Sequence, residues 1–82
     1  MDKKEVQKII DSLVPGTIFN ITYLSTQVEL VNIKTKEGTT KLKEPLYLWR
    51  EVGTLKTFTN KADDIKKGIV FKNWIKNEDS NN

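Results

Sequence analysis

Residues 16–34, GTIFNITYLSTQVELVNIK, constrain this 82-residue chain more than any other segment, because they support two incompatible structures. Thr, Ile, Phe, Tyr and Val favour extended backbone, so propensity alone places two β-strands at Thr17–Leu24 and Gln27–Lys36. The alternative is a short strand at Thr17–Phe19, an N-cap at Asn20 and a helix burying Ile21, Leu24 and Val28. The two readings lead to different proteins, and the flanking segments must choose between them.

Upstream, Val6, Ile9, Ile10 and Leu13 fall at i, i+3, i+4 and i+7, which makes one stripe of a helix apolar while Lys3, Lys4, Lys8 and Asp11 stay wet. Asp2 is placed to cap this helix, with Glu5 three residues later as in a capping box. Pro15-Gly16 stops it. Downstream, Leu42, Leu46, Trp49 and Val52 are spaced 4, 3 and 3, the spacing of one helix face, and Gly53 suits a left-handed C-terminal cap. Thr54–Thr59 then reads as a strand, Lys61–Gly68 as a polar turn and Ile69–Ile75 as a second strand.

This succession resembles the winged helix-turn-helix DNA-binding family, of the small kind found in phages and mobile elements. In that family the third helix carries apolar residues 11, 7, 4 and 1 positions before a glycine and a leucine two after it. Leu42, Leu46, Trp49, Val52, Gly53 and Leu55 fill those places. PGTIFNITYLS looks like the family's short strand leading into its second helix, with Phe19 and Leu24 in the core. The resemblance covers residues 3–76 and selects the helical reading of the ambiguous segment. It implies an α+β, mainly α fold, a winged helix with a three-helix core and a short antiparallel β-sheet wing. Two features depart from the pattern: an insertion around Asn32–Thr40, and Pro45 inside the third helix, where it removes a donor unless the regular helix starts at Glu44.

Size and composition fit one domain at residues 1–76 followed by a flexible polar tail at 77–82, NEDSNN. With no cysteine, neither disulfides nor thiolate zinc sites can supplement the core. No apolar run approaches a membrane span and the N-terminus lacks a signal peptide's apolar region, so a cytoplasmic protein without membrane association is expected. Histidine is absent too, which removes the commonest general base along with the thiol nucleophile. Asp63-Asp64 reads as a pair of solvated turn acids, and the four glycines Gly16, Gly38, Gly53 and Gly68 suit turns or caps, not a phosphate loop. A non-enzymatic chain with no cofactor and no bound metal is expected.

Charge is the stronger functional signal. The net charge is +3, but residues 1–30 carry −1, residues 31–76 carry +6 and the last six carry −2. Phosphate neutralisation by such a basic half supplies DNA affinity. The expected DNA-binding residues are Lys34 and Lys36 in the insertion and Thr40, Lys41, Lys43, Tyr47 and Arg50 in or beside the third helix. Lys56, Lys61, Lys66, Lys67 and Lys72 complete the set in the wing. Regulation or replication is the implied role, with double-stranded or single-stranded DNA as partner and a homodimer possible. A single-stranded-DNA-binding accessory protein of a mobile element is one alternative, since Phe71 and Trp74 would face opposite sides of a wing strand and one could stack on bases beside Lys72. The other is a small α+β interaction module, one N-terminal helix and a strongly bent sheet from Thr17 onward, docking a protein through edge strands or exposed aromatics.

Overall fold

Helix α1 spans Lys3–Asp11 and begins as its sequence predicts, with the Glu5 amide donating to Asp2 Oδ1 at 2.9 Å. Val6, Ile10 and Leu13 are buried beneath it. The computed structural model describes residues 2–34 and 44–77. After the Pro15-Gly16 turn, where Gly16 takes φ +101°, the chain enters strand β1, Ile18–Ile21. A 3-10 turn at Thr22–Leu24 and Ser25, itself in the left-handed region at φ 50°, reverse the chain into β2, Thr26–Lys34. Strands β3, Leu46–Glu51, and β4, Thr57–Lys61, continue the meander. Helix α2, Ala62–Val70, then carries the chain across to β5, Trp74–Lys76.

The five strands form one sheet in the order β4-β3-β2-β1-β5, every pairing antiparallel. This corrects the expected mainly α winged helix with its three-helix core. The segment from Gly16 follows the propensity reading, as a hairpin pairing Ile18 with Glu29 and Ile21 with Thr26. The expected third helix is strand β3, in which Tyr47 and Trp49 point inward while Leu48 and Arg50 point out. Period two wins there because two large rings, two residues apart, find a common interior only from extended backbone. Val52, which the helix would have buried, is 41% exposed. Gly53 takes φ +87° in the turn after β3 instead of capping a helix.

The expected polar turn at Lys61–Gly68 is mostly α2, and the expected strand at Ile69–Ile75 is the end of that helix, a turn and part of β5. Asp64 Oδ2 accepts from the Lys61 amide at 3.1 Å, Asp63 and Asp64 place negative charge at the helix N-terminus, and Ile65 and Ile69 bury one face. The helix ends in a Schellman motif, with the Lys72 amide donating to Ile69 O and the Asn73 amide to Gly68 O. Lys72 occupies the left-handed position, φ 62°, where glycine is usual.

Both helices lie against the inner face of the sheet. Phe19, Ile21, Val28, Leu30, Tyr47, Trp49 and Trp74 meet Val6, Ile10, Leu13, Ile65 and Ile69 in one core. A bulge between Leu30 and Asn32 bends β2. The sheet curls far enough for rings on its two outermost strands to meet: Phe58 of β4 and Trp74 of β5 lie 6.3 Å apart, centroid to centroid, at 86°. No helix among the described residues is long and apolar enough to cross a membrane.

Candidate docking groove at the mouth of the curled sheet

The end of β1, the 3-10 turn, the start of β2, the end of β3 and the starts of β4 and β5 converge at one end of the curl. A groove of about 270 Å³ opens there, lined by Ile21, Tyr23, Leu24, Thr26, Val28, Glu51, Phe58 and Trp74. Ile21, Val28 and Trp74 are buried and form its floor, while Tyr23, Leu24 and Phe58 stand exposed around it. Local geometry fixes the rim. The Thr22 amide donates to Asn73 O at 2.9 Å and the Thr22 hydroxyl to Lys72 O at 3.2 Å, tying the 3-10 turn to the loop before β5. The Glu51 amide donates to Lys56 O at 2.9 Å, holding the opposite wall.

Glu51 is the one charged residue lining the groove, it is half-buried, and its carboxylate has no hydrogen-bond or ion-pair partner among the described residues. An unpaired carboxylate beside aromatic rings favours a cation, through charge pairing and through the ring faces together. Strand β4, which supplies Phe58, pairs with β3 on one side and, among the described residues, carries no strand on the other. That edge offers backbone donors and acceptors to an added extended segment.

The described residues expected to contact DNA fall on several elements. Lys34 ends β2, Lys56 lies in the turn before β4, Lys61 ends β4, Lys66 and Lys67 lie on α2, and Lys72 sits in the loop after it. Tyr47 is buried, 6% exposed, its hydroxyl held above the ordinary range by that burial and, secondarily, by the Asp11 carboxylate. Arg50 points outward and pairs with Glu29 at 3.0 Å. Lys36, Thr40, Lys41 and Lys43 lie outside the described residues. Of Phe71 and Trp74, the first is 70% exposed and the second buried, although Phe71 stands on the turn that ends α2 and not on a strand. Sequence reasoning missed Glu51, Leu24 as a rim residue, and the joint role of Tyr23 and Phe58. Only the curl of the sheet brings these four together.

No protein-family model, curated protein or solved structure matches the chain. Among the described residues no group of three or more Asp and Glu side chains is placed to hold a metal ion.

Proposed function

We propose that this chain is a docking module that takes an extended, apolar and basic segment of a protein partner in the mouth groove, without catalysis and in the cytoplasm. The observation that carries the proposal is the unpaired, half-buried Glu51 carboxylate in a groove otherwise lined by Ile21, Tyr23, Leu24, Thr26, Val28, Phe58 and Trp74. Aromatic walls give a partner apolar contact at low entropic cost, and Glu51 selects an arginine or lysine among its side chains. The free edge of β4 adds backbone pairing that is indifferent to the partner's sequence.

Affinity selection of a random twelve-residue peptide library on the full chain tests this. The expected winners combine aromatic or aliphatic residues with Arg or Lys, bind with a change in tryptophan fluorescence, and lose at least tenfold in affinity to Glu51→Lys. Winners that bind Glu51→Lys as well as the parent, or no enrichment at all, would overturn the reading.

A second reading, binding of single-stranded DNA, rests on a separate observation. Tyr23, 68% exposed, and Phe71, 70% exposed, stand on the two segments that Thr22 ties together, and Lys72 follows Phe71 in the chain. Exposed rings beside a lysine suit base stacking with phosphate neutralisation. Titration with labelled oligothymidylate at low and physiological salt decides it: saturable, steeply salt-dependent binding lost in Tyr23→Ser/Phe71→Ser supports DNA, and binding that the double variant leaves unchanged removes that reading.

A further inference from the structure

Away from the mouth, the first two turns of α1 and the second half of α2 enclose a groove of about 630 Å³ lined by Lys3, Lys4, Val6, Gln7, Lys66 and Val70. Lys66 and Val70, four residues apart, share one stripe of α2, so this wall offers an ammonium group beside an aliphatic one. Val6 forms a buried floor, whereas Val70 is 52% exposed, an aliphatic side chain left in water at the edge of a concave surface. Among the described residues no carboxylate lines the groove, and Lys3, Lys4 and Lys66 form no ion pair. Three uncompensated cations around an apolar floor call for a ligand that is anionic at one end and apolar at the other.

We propose that this groove binds a free single-chain amphiphile with an anionic head, an acyl carboxylate. The lysines take the head group while their methylene stems, with Val6 and Val70, cover the chain. A groove of this volume belongs to the range of small-molecule sites, roughly 300–1,000 Å³. The inference is independent of the mouth groove, which shares none of these residues.

The test is a ¹⁵N-resolved NMR titration of the full chain with sodium decanoate below its micelle-forming concentration, with decanol and decyltrimethylammonium as parallel probes. Expected are saturable shifts centred on Lys3, Lys4, Val6, Gln7, Lys66 and Val70, and affinity at least tenfold weaker for decanol and for the cation. The variant Lys4→Glu/Lys66→Glu changes only side chains on exposed or half-exposed helix faces, and it should weaken decanoate at least tenfold while leaving the circular dichroism spectrum intact. Val70→Asp, at an exposed position, should act likewise. Decanol binding as tightly as decanoate, shifts that never saturate or that spread over the molecule, or undiminished affinity in both variants would each overturn the proposal. Binding only to vesicles of anionic phospholipid would overturn it as well, and would make the groove a membrane contact instead.

Discussion

Trp49 is completely buried, yet its indole carries a donor, and the one acceptor it finds is Asn60 Oδ1 at 2.8 Å. The two residues are on neighbouring strands, Asn60 facing Tyr47 across the β3–β4 ladder, so the amide reaches the ring diagonally. Removing the acceptor strands a buried N–H, at a cost of about 1–3 kcal/mol. Asn60→Ala should therefore lower the unfolding free energy measured in urea by that amount, while Asn60→Asp, which keeps an acceptor, should recover part of it. Equal losses in both variants would mean that packing, not the hydrogen bond, sets the cost. Tyr47 provides a pH signature from the same interior. Its hydroxyl is held above the usual value near 10 by burial, with Asp11 adding to the effect. As pH rises past about 10 the unfolded chain loses this proton first, so the stabilisation present below that pH is lost as pH climbs through the folded value. Tyr47→Phe should flatten the fall of stability above pH 10, measured as urea midpoints between about pH 9 and 11. A parent and variant that fall with the same slope would assign the alkaline loss to other groups.

At the scale of elements, α2 shows how a contact far along the chain can dictate a residue. Gly68 sits inside the helix, where glycine is unfavourable by up to about 1 kcal/mol against alanine. A Cβ there would fall against Trp74 Cδ1 and 2.7 Å from Trp74 Cγ, so the helix can pass over β5 only without a side chain at that point. Gly68→Ala should destabilise by about 1–3 kcal/mol despite its better propensity. In a Trp74→Leu background the penalty should shrink or reverse, a coupling that urea unfolding of the four proteins of the cycle would measure. An unchanged penalty would place the strain elsewhere. The same element explains what could be read from the sequence. Helix α1 was legible because Val6, Ile10 and Leu13 repeat at helical spacing behind a capping Asp2, all local signals. Strands β1 and β2 were legible as propensity, although the stripe Ile21, Leu24, Val28 offered a helix of equal local quality. Residues 46–49, LYLW, are apolar throughout, so their pattern has no period of its own and the wider helical spacing of Leu42, Leu46, Trp49 and Val52 imposed one. Helix α2 was hidden by Gly68 and by Asp63-Asp64, which suit a turn as well as a helix N-terminus. The mouth groove was not legible, because Tyr23, Glu51 and Phe58 meet only after the sheet curls.

For the whole molecule, that curl is an aromatic construction. Phe19, Trp49 and Trp74, from β1, β3 and β5, pack against one another with centroids 4.9–5.6 Å apart, and Phe58 adds β4 to the set through Trp74. The sheet order places β4 and β5 at opposite edges, so the Phe58–Trp74 contact joins edges that no backbone ladder connects among the described residues. An edge-on aromatic pair contributes about 0.5–1.5 kcal/mol beyond buried area. Because Phe58 is itself partly exposed, Phe58→Ala should cost a modest amount of global stability and act mainly on the closure. Faster amide exchange is expected along β4, with the β1–β2 hairpin unchanged, and a red shift of tryptophan emission as water reaches Trp74. This variant also separates the two proposed sites. Phe58 walls the mouth groove, whereas the groove between α1 and α2 contains no strand residue. Selected peptides should therefore lose most of their affinity for Phe58→Ala, while decanoate binds it as it binds the parent. If decanoate affinity falls in parallel with peptide affinity, the two grooves are coupled through the core, and opening the sheet at its edges also moves α2 against α1.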